Sequence, residues 1–363
     1  MRFAVFQQEE FFEQYQFNCR YMLALSGVQP LTSGELTALL GHAVPDVDLG
    51  YMPSAGYPHL RDRIAAQYPG ATREHVLVTV GATEALLIAI NLLVEPGDEA
   101  VCLWPSYQPL HQYVAAAGGD VRFVRLDPAA GFRIDLDAVR AAVTPRTRLV
   151  VLNSPHNPTG QDVPTAELVR LADDLERRGV HLLVDEVFRR MRPGARDSAW
   201  VERANVVVVD GLSKSFGLPG LRIGWFVADP DLVVGGWRHR IYTSMNPGAL
   251  DQELAAAALH ADERVLARTH RLVCGGLRQA LDWFAEHEEF FDVVEPAGGG
   301  LLFPRLRLDV PTRDFCVQLV EQTGVLLAPG SDCYDMEGFL RFGFATGDLA
   351  KGLDLFDRFL RRR

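Results

Sequence analysis

The sequence holds almost no lysine. Of its 36 basic residues only Lys214 and Lys351 are lysines, and the rest are arginine. Arginine replaces lysine as a surface charge but not as a primary amine, because guanidinium stays protonated and does not condense with aldehydes. Amine chemistry is therefore confined to two positions. Positive charge is also short overall: a net charge of −11 argues against a nucleic-acid backbone or an anionic membrane as the main partner. No apolar run approaches the roughly 18 residues of a membrane helix. The opening stretch, Met1 to Glu10, has no signal-like apolar segment. The five cysteines (Cys19, Cys102, Cys274, Cys316, Cys333) are scattered, with no CxxC pair. Neither a disulfide framework nor a metal site is expected, and a reducing, cytoplasmic setting is. A GxGxxG turn is absent too. Gly81-Ala-Thr-Glu-Ala85 does not supply it, which removes a dinucleotide-binding reading.

What is present is a long, ordinary globular composition: 363 residues, 48% hydrophobic and 23% charged. That length favours two domains. Residues 1–45 read as an N-terminal arm that contributes part of a small domain. The arm holds an amphipathic piece at 11–21, a turn-rich Leu25-Ser-Gly-Val-Gln-Pro30 and a helix over 33–40. From residue 46 to 245 short apolar strands (76–79, 100–103, 121–126, 148–152, 180–184, 206–209) alternate with helical patterns at 58–67, 82–93 and 107–117. Continuous apolar strands separated by helices predict an α/β domain with a mostly parallel sheet covered on both faces. Residues 246–363 read as a smaller α+β C-terminal domain with one long helical stretch over 249–287.

Four groups fall at the C-terminal ends of expected strands, where open α/β sheets bind ligands. Gly81, Ala82 and Thr83 would present N–H groups and a hydroxyl at a helix N-terminus, an anion site; many tight turns look the same. Asn157, in Asn153-Ser-Pro-His-Asn-Pro-Thr-Gly160, offers an amide that donates without adding charge, or is a plain Asn-Pro turn. Asp185 ends an apolar strand, where a carboxylate needs a facing cation: a protonated pyridine nitrogen, or an arginine in a structural ion pair. Lys214 follows a buried strand in Asp210-Gly-Leu-Ser-Lys-Ser-Phe-Gly217, with Ser213 beside it and Arg222 eight residues on. A lone lysine there suggests a Schiff base, and Arg222 a guanidinium fork for a phosphate. Asn157, Asp185 and Lys214 are spaced 28 and 29 residues apart, one strand–helix–strand step each, which brings them to one sheet edge. Amide, carboxylate, amine and phosphate cradle are together the requirements of pyridoxal 5′-phosphate (PLP).

These motifs, with Tyr51-Met-Pro-Ser-Ala-Gly56, Pro105-Ser-Tyr107, Asp185-Glu-Val187, Gly217-Leu-Pro-Gly-Leu-Arg-Ile-Gly-Trp225 and Leu340-Arg341, resemble those of class I/II aminotransferases of PLP fold type I, from about residue 46 onward. The resemblance implies a large domain built on a mostly parallel seven-stranded sheet between helices. It implies an enzyme that forms an external aldimine with an L-amino acid and removes its Cα proton. Lys214 is then the Schiff-base lysine and Asp185 the partner of the pyridine nitrogen. Asn157 meets the phenolic oxygen and Tyr107 stacks on the ring. Gly81, Ala82, Thr83, Ser213 and Arg222 hold the phosphate. Arg341 clamps the substrate carboxylate, with Asn157 and Gly27 alongside. The family is typically a homodimer with shared active sites, so Tyr51 is expected to reach into the partner's site. Two departures stand out: Phe188 where a tyrosine is usual, and Gly211 where a phosphate-binding serine or threonine is common. The arm, Arg20-Tyr-Met-Leu-Ala-Leu-Ser-Gly-Val-Gln-Pro30 with Gly34-Glu-Leu36, is similar to that of capreomycidine synthase-like members. That similarity keeps elimination with replacement or cyclisation open beside transamination. Glu9, Glu10, His59, Tyr21 and Ser26 are further candidates for shaping specificity. A cofactor-binding regulator without turnover is disfavoured by the absence of a basic face.

Overall fold

The computed structural model describes residues 2–41, 46–195 and 197–362; the expected end of the arm at residue 45 lies outside them. Seven strands form the central sheet: β1 (Val76–Val80), β2 (Glu99–Trp104), β3 (Asp120–Arg125), β4 (Thr147–Asn153), β5 (His181–Asp185), β6 (Val206–Gly211) and β7 (Ile223–Val227). Their order across the sheet is β1-β7-β6-β5-β4-β2-β3. Strands β2 to β6 pair in parallel, and β7 runs antiparallel to both β1 and β6.

Strand side chains alternate between faces, and both faces are covered. Leu77, Cys102, Val151, Leu183 and Phe226 join one core with Ile88 and Val233, from the helices Gly81–Leu93 and Pro230–Arg240. Their sequence neighbours Val78, Val101, Val150, Leu182 and Val227 enter the opposite core. This two-sided burial is why the strands read as unbroken apolar runs. Strand β7 escaped that reading because Gly224 interrupts its apolar run. A Cβ at Gly224 would strike Ala82 N and the Gly81 carbonyl carbon, so glycine is what lets the Gly81–Leu93 helix start directly over the sheet.

In the C-terminal third, Leu340–Gly343 pairs antiparallel with Leu301–Leu302 and Ala328–Pro329, flanked by the helices Asp262–Glu286, Thr312–Thr323 and Leu349–Leu360. The helical stretch expected over 249–287 is two helices, Ala249–His260 and Asp262–Glu286, broken at Ala261. The arm helix is Gln7–Tyr15, earlier than the 11–21 expected, because it buries Gln8, Phe11 and Phe12. After it, Tyr21–Met22 pairs in parallel with Val325–Leu326. The helix Ser33–Leu40 falls where expected, opened by a Thr32/Glu35 capping box and closed by Gly41.

Candidate active site

The C-terminal ends of β4, β5 and β6 lie side by side, with Asn153 paired to Asp185 and Asp185 to Val209. A cavity of about 400 Å³ opens above them. Asn153 organises its floor: Nδ2 donates to the Asp185 carbonyl at 3.0 Å, and Oδ1 accepts from Asn157 N at 2.7 Å. Of the residues singled out in the sequence, Lys214, Asp185, Asn157, Tyr107, Ala82, Thr83, Ser213 and Arg222 all line this cavity, as do Phe188 and Gly211.

Asp185 is 3% exposed, and its carboxylate accepts from Val187 N at 3.2 Å. Burial, with Asp210 adding like charge, pushes its carboxyl up to about 7. The neighbouring arginines are already engaged: Arg189 pairs with Glu186 at 3.1 Å and Arg190 with Asp210 at 3.3 Å. Among the described residues no cation pairs with Asp185, so the arginine ion pair considered from sequence is not its role.

Lys214 is half-buried in the wall of the same cavity and donates from Nζ to Ser26 Oγ at 2.8 Å. Burial, then the nearby Arg341 charge, lowers its amine to about 8. Gly27 does not line the cavity. It packs on the Lys214 backbone, where an added Cβ would lie 3.1 Å from Lys214 Cα.

At the cavity's other end Gly81 begins its helix with φ +75°, and an added Cβ would strike the Arg222 guanidinium. Only glycine leaves room for Arg222 over that helix start. Arg222 itself adopts φ +51° and donates from Nη1 to Pro219 O at 3.0 Å. Gly211 abuts Ile223 O at 3.0 Å from a Cβ position, which explains the missing serine or threonine: a side chain there would crowd β7. Tyr107 packs edge-on to Phe6 of the arm, with ring centres 5.7 Å apart.

Arg341, 2% exposed, lies behind the cavity on the strand Leu340–Gly343. It donates from Nη1 to Tyr334 Oη (2.8 Å) and Gln8 Oε1 (3.0 Å), and from Nη2 to Ala24 O (2.8 Å), while its Nε has no partner. Tyr334 donates to Asn157 Oδ1 at 2.7 Å. With that oxygen occupied, Asn157 has its NH₂ left to offer the cavity. Gln8 and Tyr334 have no motif in the sequence. Gln8 comes from the arm helix 333 positions away from Arg341. Glu9 lines the cavity beside Gln8, and Ser26 lines it as well. Tyr21 is taken up in strand pairing instead. Tyr51 is 92% exposed and outside the cavity of its own chain.

The donor set fits PLP. Among the described residues a buried carboxylate has no ion-pair partner and a half-buried amine none either, and a glycine-shaped helix start lies under a guanidinium, all around one cavity. Among the described residues no cluster of ligands suits a metal ion. Comparison with known proteins agrees. The sequence profile of "Aminotransferase class I and II" matches residues 43–359. Capreomycidine synthase from Streptomyces vinaceus is 35% identical over 95% of this chain and 91% of its own length. A PLP-dependent aminotransferase from Streptococcus suis superimposes with a TM-score of 0.92 at 30% identity, covering 100% of this chain and 99% of that one. The PLP-dependent cyclase OrfR does so at 0.91 and 30%, covering 100% and 98%. The chain belongs to the aminotransferase class I and II family, and pyridoxal 5′-phosphate is its cofactor.

Proposed function

We propose that the chain transfers the amino group of an L-α-amino acid, with Lys214 as both the cofactor's covalent anchor and the base that acts on Cα. The observation that carries this reading is the place of the Lys214 amine: half-buried in the cavity wall and hydrogen-bonded at 2.8 Å to a hydroxyl rather than a carboxylate, a setting that lowers it to about 8. Held by Lys214, Asp185, Asn157, Tyr107 and the Gly81–Thr83, Ser213 and Arg222 cradle, pyridoxal 5′-phosphate supplies an aldehyde for amines and an electron sink for the pair left when a Cα bond breaks. Asp185, with no ion-pair partner among the described residues, would hold a proton on the ring nitrogen. Arg341 receives the substrate carboxylate in place of Gln8 and thereby fixes which face of Cα meets Lys214. The freed Lys214 amine, neutral in a substantial fraction near pH 8, takes the Cα proton. Glu9 accepts from the Gln8 amide at 3.1 Å and, although Lys214 and Arg341 feel its charge, forms no ion pair among the described residues. A substrate side chain ending in a positive group would complete it.

A second reading, loss of a substituent followed by ring closure, is favoured by Phe188. Its ring lines the cavity without the hydroxyl that a tyrosine would bring to proton handling. The cyclase and capreomycidine synthase relatives point the same way. Incubation with one amino acid and no keto acid separates the two. Transamination leaves the amine form of the cofactor and a keto acid, whereas elimination and cyclisation leave the aldehyde form in place. If no amino acid alters the spectrum of the loaded protein, both readings fail.

We further infer a homodimer. Leu49, Tyr51, Tyr242, Met245 and Leu250 are exposed on segments joined by the Asn246 Nδ2 to Met52 O bond. An apolar face of this kind marks an interface and would carry Tyr51 toward the partner's site. The arm (1–45), a large cofactor-binding domain (46–245) and a small domain (246–363) are the division this reading uses. Five unpaired cysteines suit a cytoplasmic setting.

A further inference from the structure

We propose that Ser26 is a catalytic residue, whose hydroxyl holds the Lys214 amine through the transfer of the Cα proton. The inference rests on Lys214 acting as the base. Ser26 is 6% exposed, and its Oγ is 2.8 Å from Lys214 Nζ. Its backbone is pinned from both sides. Two residues before it, Ala24 O accepts from Arg341 Nη2 at 2.8 Å; two residues after it, Val28 N donates to Lys214 O at 3.3 Å. Gln29 N donates to Ala345 O at 2.9 Å. The hydroxyl therefore has a fixed position relative to both the amine and the carboxylate clamp. Asp185, Glu9, Arg341 and Arg222 all act on Lys214 through their charge, but none forms an ion pair with it among the described residues. Phe188, across the cavity, has no hydroxyl to share the task.

The neutral amine donates one N–H to Ser26 Oγ, which leaves its lone pair free. When the Cα–H bond breaks, its electron pair stays with the substrate and the proton forms a third N–H bond on Nζ. The resulting ammonium is half-buried and feels the Arg341 charge, so it needs an acceptor, and Ser26 Oγ is the one already in place. Removing it disfavours the ammonium and weakens the base.

The scarcity of lysine makes the test direct. Protein carrying ¹³C,¹⁵N-lysine has two side-chain amines, Lys214 and Lys351, and Lys351→Arg assigns them. In the cofactor-free chain, Ser26→Ala should lower the Lys214 titration by about one unit, as expected for a lost hydrogen bond to a charged group, and leave that of Lys351 unmoved. In the loaded enzyme, exchange of the substrate Cα proton with deuterated water should slow by up to about tenfold, the fraction of the lost unit that is felt at the transition state. Ser26→Thr should restore both. Should Ser26→Ala fold poorly, Ser26→Cys, close in shape but a weak acceptor, reads the same two quantities. An unchanged Lys214 titration in the folded variant overturns the proposal. Failure of the underlying reading has a different signature: borohydride would leave no cofactor on Lys214, whatever the titration shows.

Discussion

Asp185→Asn should stabilise the empty protein and ruin the loaded one. In the empty site the carboxyl is buried, has one backbone donor and no cation, and titrates at about 7 instead of the ordinary 3.8. A shift of about three units corresponds to about 4 kcal/mol of penalty for carrying the charge, at about 1.4 kcal/mol per unit. Relaxation and water entry reduce what is measured to about 2–4 kcal/mol. The sign follows from the direction of the shift. The folded state favours the protonated acid, so the penalty is absent below pH 3.8, accrues up to about 7 and is complete above it. Asparagine keeps the shape and removes the charge. At pH 8 the cofactor-free variant should therefore resist urea better than the parent, and the gap should close as the pH falls toward 4. With cofactor the order reverses, because the carboxylate now has a ring cation to face. Losing one partner of such a buried pair costs about 3–5 kcal/mol, a hundredfold or greater loss of cofactor affinity. Urea titrations of stripped and loaded protein at pH 4, 6 and 8 decide it. A variant less stable than the parent when empty at pH 8, or equally tight for the cofactor, refutes the assignment of Asp185.

Two further outcomes follow from the same geometry. The rate at which the empty chain captures an aldehyde should rise with pH and level off above about 8, because only the neutral Lys214 amine attacks; stopped-flow absorbance reads it, and a rate independent of pH between 6 and 9 contradicts it. Gly81→Ala places a methyl against the Arg222 guanidinium in a positive-φ backbone, which should cost about 1–3 kcal/mol of stability and weaken binding of inorganic phosphate measured by calorimetry.

Lys214, Asp185 and Asn157 were legible because each ends a buried strand or follows its end by a few residues. An apolar run stopping at a polar residue is a local signal, and parallel topology brings such stops to one edge. Gly81 and Arg222 were legible as a loop pattern, though their mutual fit was not: Cβ exclusion is a fact of packing between a helix start and a side chain 141 positions later. Ser26 reaches Lys214 across 188 positions, Gln8 reaches Arg341 across 333 and Tyr334 reaches Asn157 across 177, and separations of that size leave no periodicity. Strand β7 was hidden by the glycine that makes it useful, and the break at Ala261 by a sequence that stays helical in pattern on both sides.

The threading of residues 20–31 between the two halves has a consequence for how the protein comes into being. Tyr21–Met22 finds its partner in Val325–Leu326, and Ala24 is gripped by Arg341. This segment is thus secured only after about 300 further residues of nascent chain have been made. Contacts of such long sequence separation form late and slowly. Assembly of the cofactor site should in this way wait for the late-made strand, and changes at Tyr21 or Met22, which pair with it and are given no role toward the substrate, should lower the yield of holoenzyme.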